Sequence, residues 1–221
     1  MLREILNALK GKDTLDEIFL EIGKMLQAGR WMFDQASEVL LRKVDWESIS
    51  DKLYERDREI NQIEQSVRER ILTHLSMGNQ SDLAACLIIM SVVKDAERIG
   101  DYCKNLFEVG KFYNREYSHA QYARPMEDIR AAVDPLFEKT EKAFLEADRS
   151  LARRVIDTAG SLRHTCDLLV QQLLSGSDDL APDEAVAYVL LARSYKRVVA
   201  HLGNIASGVV SPVSMIDYLD E

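Results

Sequence analysis

The chain has 221 residues, of which 47% are apolar and 29% charged, a composition typical of a soluble globular protein with a substantial core. Its formal net charge of −9 argues against nucleic acid as a partner, because phosphate backbones need a basic surface. The longest apolar run, at 83–93, is about half of the ~20 residues that a membrane helix needs, so we expect a cytoplasmic protein without direct membrane insertion.

Helical periodicity dominates the first half of the chain. Apolar residues at three- and four-residue steps predict a helix over 15–43, a second over 45–74, and a third from about 83 to 113. The segment 2–10 allows a short extra N-terminal helix. The cysteines lack paired spacing, which favours buried thiols over a disulfide scaffold or a zinc site.

The second half repeats the helical pattern after a polar segment. Residues 114–125 are polar and end in a proline, so we predict the linker there. A fourth helix then runs to about 146, with Pro135 either kinking it or marking its true start. The fifth and sixth helices are predicted over 150–174 and from 182 to about 210.

The third and sixth predicted helices share a pattern at an offset of 99 residues. Arg98 corresponds to Arg197, and Asn105 corresponds to Asn204. The core stripe of the third helix contains Ala85, Ile89, Val92, Ala96, Ile99, Cys103, Leu106 and Gly110, and that of the sixth contains Leu191, Tyr195, Val198, Leu202, Ile205 and Val209. We therefore predict an all-α fold of two repeated three-helix bundles.

The repeat predicts two domains. The first, 1–117, is a three-helix repeat with an N-terminal extension. The second, 118–221, is a degenerate three-helix repeat that ends in a loosely held acidic tail over 211–221.

A pair of carboxylates stands out in the third predicted helix. Glu97 and Asp101, in "KDAERIGDYCKNL", lie one turn apart and point away from the apolar stripe. Like charges at this spacing repel weakly, which hints that another group offsets them. A solvated charged face remains the simpler interpretation.

The second predicted helix carries a matching polar stripe of Asp57, Asn61 and Glu64. If the two helices pack antiparallel, the stripes converge at the edge of their contact, and hard cations prefer such oxygen clusters. Salt bridges to nearby basic side chains would also satisfy the carboxylates, the candidates being Arg68, Lys94 and Arg98.

The segment "DAERIGDYCKNLFE" (95–108) resembles the signature segment of the PhoU family, and "YERDREINQIEQSVRERIL" (54–72) is similar to the helix before it. The resemblance covers about residues 15–211 and implies the PhoU-like six-helix arrangement. It also implies a non-catalytic regulator or accessory protein of phosphate (or related ion) transport and its signalling. Such a protein would act through contacts with the cytoplasmic side of a transporter or its signalling kinase, peripheral to the inner membrane, and a homodimer fits the same faces.

In that family, paired acidic motifs are associated with clusters of iron or other divalent or trivalent metals. The resemblance thus implies metal ligands in the first repeat at Glu97, Asp101, Asp57, Asn61 and Glu64, although Asn61 stands where an Asp is more usual. In the second repeat the offset places Lys196 and Ala200 at the two acidic positions, so no second cluster is expected. The residues left for an altered site there are His164, Asp167 and His201.

Two other protein classes compete with this interpretation. The first is a metal-free helical adaptor with no phosphate role, its carboxylates held in salt bridges. The second is an enzyme-like metalloprotein that uses the acidic cluster of the third helix, which would need open coordination positions and a substrate pocket. A di-iron enzyme is excluded, because it needs two Glu-x-x-His motifs and the single one here, Glu116 to His119, falls in the predicted linker. Without a phosphate-binding loop or a nucleophile elbow either, we predict no enzyme.

Overall fold

The computed structural model describes residues 13–176 and 180–216, and within these ranges every regular element of secondary structure is a helix. Two short 3₁₀ turns lie at Gln80–Asp82 and at Val213–Met215. The predicted extra helix at 2–10 lies outside the described residues. The helices are α1 Asp13–Leu40, α2 Trp46–Ser76, α3 Leu83–Phe112, α4 Ala120–Leu145, α5 Arg149–Ser175 and α6 Pro182–Val210.

Helices α3 and α6 form the centre of the molecule. The two helices pack against each other. Helix α3 also packs against α1 and α2, and helix α6 also packs against α4 and α5. Every residue of the two predicted core stripes is buried, and one continuous hydrophobic core includes residues of both halves. The all-α fold is therefore confirmed, whereas the division at residue 117 and the duplication itself stay predictions.

The predicted linker at 114–125 is wrong in its second half. Helix α4 begins at Ala120, so Pro125 lies inside it, and Pro135 does not mark its start. Glu184 holds the chain just before the helix, since its carboxylate accepts hydrogen bonds from the Ser118 amide at 2.6 Å and hydroxyl at 2.7 Å. This anchor and the burial of the Tyr122 ring outweigh the one helical hydrogen bond that Pro125 removes.

The end of the described chain also differs from the prediction. The segment 211–216 is not loosely held, because the side chain of Ile216 is buried and that of Val213 packs against the core. Their apolar area outweighs the polar composition around them. Residues 217–221 lie outside the described part. None of the described helices combines the length and apolarity needed to cross a membrane.

Candidate functional site

Helices α2 and α3 run antiparallel and bring the two predicted acidic stripes together. Asp57 on α2 faces Lys104 on α3, and Ile60 lies against Gly100 one turn further along. A Cβ atom at Gly100 would stand 3.2 Å from Cδ1 of Ile60 and 3.8 Å from Oδ1 of Asp57. The glycine therefore permits a close helix approach at the level of the carboxylates. We call Asp57, Asn61, Glu64, Glu97 and Asp101 the carboxylate stripe.

Lys104 bridges two members of the stripe. Its Nζ lies 2.9 Å from Oδ2 of Asp57 and 3.0 Å from Oδ1 of Asp101. Burial disfavours the ammonium, but hydrogen bonds to both carboxylates outweigh it and raise the pKa of Lys104. Arg98 adds a second cation, with Nη1 3.2 Å from Oδ2 of Asp101. Because Asp57 is buried, Lys104 supplies the charge that it needs.

Glu97 is the least well compensated member of the stripe. Its side chain is 16% exposed, and its nearest cation is Nε of Arg98 at 3.6 Å. Burial, followed by the negative charge of Asp101, raises the pKa of Glu97 to about 7, with a smaller contribution from Glu64 on α2 and against the opposing effect of Arg98. This carboxyl therefore changes between its protonated and ionised forms near neutral pH, and any added positive charge would favour the ionised form.

The remaining stripe residues lie on α2. Oε1 of Glu64 forms an ion pair with Nη2 of Arg68 at 2.7 Å. The negative charge of Glu64 also contributes to the raised pKa of Glu97 on the facing helix. Asn61 is half-buried between Asp57 and Glu64. Of the three basic residues predicted as salt-bridge partners, Arg68 and Arg98 do contact the stripe. Lys94 instead approaches Asp95 at 3.9 Å.

The stripe has oxygen atoms of the kind that hard cations prefer as ligands. Basic side chains already form ion pairs with the carboxylates of Asp57, Glu64 and Asp101. Over residues 13–176 and 180–216, no three His, Cys, Asp or Glu side chains converge closely enough to hold a metal ion. The Lys104 ammonium sits between Asp57 and Asp101, where a bridging cation would lie. In this arrangement the residues do not fit a metal cluster. Binding a metal would require Lys104 and Arg98 to move.

The structure does not bring together the three residues of the altered site in the second repeat. Lys196 donates to both oxygens of Asp167 at 2.7 Å, and His164 is exposed. His201 instead has its Nδ1 2.7 Å from Oδ1 of Asp95 on α3 and stacks on Tyr102.

Sequence reasoning missed three charged residues that organise this region. Lys104 follows Asp101 at i+3, a spacing that favours an ion pair and could have been noticed. The contacts of Asp95 with His201 and of Glu184 with Ser118 carry no such local signal, because each joins residues more than 60 positions apart in the chain.

Comparison with known proteins relates the chain to one family. The family model described as "PhoU domain" matches residues 22–109, the region of α1 to α3 that contains the carboxylate stripe. The phosphate-specific transport system accessory protein PhoU homolog 1 of Thermotoga maritima is 25% identical over 172 residues. That match spans 74% of this chain and 72% of the relative.

Two solved structures share the fold over nearly the whole chain. PhoU from Pseudomonas aeruginosa superimposes with a TM-score of 0.79 at 21% identity, covering 90% of this chain and 96% of that one. The phosphate transport system regulatory protein PhoU from Streptococcus pneumoniae gives a TM-score of 0.71 at 18% identity, with 88% and 93% covered. The resemblance inferred from residues 54–72 and 95–108 is thus confirmed: residues 22–109 match the PhoU domain, and the chain shares the fold of PhoU proteins along nine-tenths of its length.

Proposed function

We propose that this protein is a non-catalytic accessory and regulatory protein of a phosphate transport system. The observation that carries the proposal is the PhoU domain over residues 22–109 within a chain that has the PhoU fold along nine-tenths of its length. The relatives from T. maritima and S. pneumoniae are named as accessory and regulatory proteins of phosphate transport, which supports the same role here.

The protein acts through protein–protein contacts at the cytoplasmic side of the transporter or on its signalling kinase. Long, rigid helices present extended surfaces that suit docking, and the charges of the carboxylate stripe are already fixed in position by ion pairs between α2 and α3. A partner that carries basic side chains would compete with Lys104 and Arg98 for Asp101 and Glu97.

Deleting the gene in its native host tests the phosphate role. We expect altered phosphate uptake and altered expression of phosphate-starvation genes, with both restored by the wild-type gene. Unchanged uptake and expression across phosphate-rich and phosphate-poor media would contradict the proposal. That result would favour the metal-free adaptor with no phosphate role. The ion pairs of the stripe also fit that alternative, because they compensate its carboxylates without a metal.

A metal at the carboxylate stripe is a separate part of the proposal. Arg98 and Arg68 are half-exposed, so turning them into solvent would release Glu97, Glu64 and one oxygen of Asp101 to an iron, manganese or zinc ion. Asp57 and the second oxygen of Asp101 would join only after Lys104 leaves, and Asn61, next to Asp57 on the stripe, would add an amide oxygen. A bound cation would offset the repulsion between Glu97 and Asp101, which, after burial, is the second cause of the raised pKa of Glu97.

Metal content measured by mass spectrometry, on protein purified without chelator, tests this part. We expect near-stoichiometric metal in the wild type, loss in Glu97→Ala/Asp101→Ala, and retention in Glu55→Ala, whose side chain is exposed on the same helix pair. Wild-type protein that contains no metal after growth in metal-replete medium would refute it.

A further inference from the structure

An apolar groove lies between the C-terminal half of α3 and the N-terminal half of α6. It has a volume of about 1040 Å³, and Val109 and Ala187 form part of its floor. Three large apolar side chains stand exposed along it, with exposed fractions of 76% for Phe112, 58% for Val186 and 49% for Leu190. Contiguous apolar surface of this kind is costly in water and marks interaction sites.

Two arginines line the same groove beyond the apolar patch. Arg193 and Arg197 lie one helical turn apart on α6, and both are exposed. In the part of the chain that the structure describes, neither has a carboxylate partner. The remaining arginine of the groove, Arg115, is already paired with Asp183 at 2.8 Å.

The offset of 99 residues shows what is distinctive about this arginine pair. The equivalent residues on α3 are Lys94 and Arg98, and both have acidic neighbours on their own helix. Lys94 lies 3.9 Å from Asp95, and Arg98 lies 3.2 Å from Asp101. In the first half, the chain therefore neutralises its own basic pair.

In the second half, the corresponding acids are gone. Ser194 stands at the position of Asp95, Lys196 at that of Glu97, and Ala200 at that of Asp101. The protein has a net charge of −9 overall, yet Arg193 and Arg197 outnumber Glu108, the lining carboxylate that is not paired with Arg115, so the groove keeps a local positive charge beside its apolar surface. An acidic group from another molecule would supply the missing partner.

We propose that this groove binds an amphipathic helix of a partner protein, with an apolar stripe against Phe112, Val186 and Leu190 and acidic residues against Arg193 and Arg197. A channel between two packed helices suits a third helix, whose anchors at i, i+3, i+4 and i+7 fill the apolar part. Acidic residues one turn apart match the one-turn separation of the arginines. The proposal concerns the surface alone and goes beyond the phosphate role.

A charge-swap experiment with defined peptides tests the proposal. The probe is an 18-residue helical peptide with leucines at the four anchor positions and glutamates beside them, labelled for fluorescence anisotropy. The control peptide carries lysines in place of the glutamates. The full-length chain is used as wild type, as Arg193→Glu/Arg197→Glu, and as Arg153→Glu/Arg154→Glu, a control with exposed arginines on α5 outside the groove.

We expect the glutamate peptide to bind the wild type about tenfold more tightly than the lysine peptide, the gain of two exposed ion pairs. The preference should reverse in Arg193→Glu/Arg197→Glu and persist in the α5 control. Leu190→Asp should lower the affinity of the chain for both peptides by ~10-fold or more relative to the wild type. Circular dichroism identifies any variant that has lost its helices.

Three results would overturn the proposal. The first is that neither peptide binds the wild type, or that both bind equally in all variants. The second is a dimer in sedimentation that Arg193→Glu/Arg197→Glu dissociates, which would make a second copy the occupant. The third is binding of the chain itself to anionic or zwitterionic vesicles, measured without peptide and abolished by Leu190→Asp, which would make the groove a lipid surface. None of these bears on the gene-deletion test, so the two proposals fail separately.

Discussion

The charge on Glu97 should destabilise the folded protein above neutral pH, and replacing it by glutamine should remove that cost. Burial and Asp101 raise its pKa from 4.5 to about 7. A tenfold change in proton affinity corresponds to about 1.4 kcal/mol, so this rise in pKa sets an upper limit of about 3 kcal/mol on the cost. Side-chain rearrangement lowers this figure, and we expect about 1–3 kcal/mol.

The sign follows from proton binding. Between pH 4.5 and 7 the folded state holds a proton on Glu97 that the unfolded chain releases, so the free energy of unfolding falls as the pH rises through this window. By about one pH unit above 7 both states are ionised, and the loss is essentially complete. Glu97→Gln carries no charge, so its advantage over wild type should be full at pH 8 and largely absent at pH 5.

Urea denaturation of chelator-treated protein at pH 5, 6, 7 and 8 measures this difference. Glu55→Gln is the matched control, because Glu55 is exposed on α2 and should change the free energy of unfolding by no more than about 0.5 kcal/mol at any pH. A Glu97→Gln variant that is less stable than the wild type at pH 8 would refute the reasoning. A difference in the free energy of unfolding between the two proteins that is the same at pH 5 and pH 8 would also refute it.

Two further predictions concern close packing and the segment before α4. Gly110→Ala should lower the free energy of unfolding by about 1–3 kcal/mol, because the new Cβ atom would stand 2.9 Å from Cγ1 of Val39. Gly160→Ala should raise it by up to about 1 kcal/mol, because a Cβ atom there would have nothing within 4 Å. Thermal denaturation of both variants tests this contrast. Hydrogen bonds from Ser118 outweigh the effect of burial and lower the pKa of Glu184, so Glu184→Gln should cost about 1–2 kcal/mol at pH 7. That cost should shrink as the pH falls and protonates the wild-type carboxyl, and equal costs at pH 3 and pH 7 in urea titrations would contradict it.

Much of the fold could be predicted because apolar periodicity is a local signal. The stripe from Ala85 to Gly110 is buried along its whole length, and so is the matching stripe of α6. The start of α4 could not be predicted in the same way. It depends on a hydrogen bond between Ser118 and Glu184, residues 66 positions apart, which prevails over the local tendency of Pro125 to end a helix.

The candidate site shows the same division between local and distant information. The one-turn spacing of Glu97 and Asp101 is visible in the sequence, and so is the parallel pattern on α2. The capture of both Asp57 and Asp101 by Lys104 depends on how closely the two helices approach at Gly100. A distance of that kind follows from tertiary packing and has no counterpart in periodicity.

The most direct test of the central claim, an accessory role exercised through contacts with a phosphate transport system, is affinity purification of the tagged chain from its native host after in-cell cross-linking. Cells grown in phosphate-rich and phosphate-poor medium are compared, and the bound proteins are quantified by mass spectrometry. We predict strong enrichment of phosphate transporter subunits or their signalling kinase, with a dependence on phosphate supply. Enrichment of neither under both conditions, with the tagged chain present at its native level, would contradict the claim.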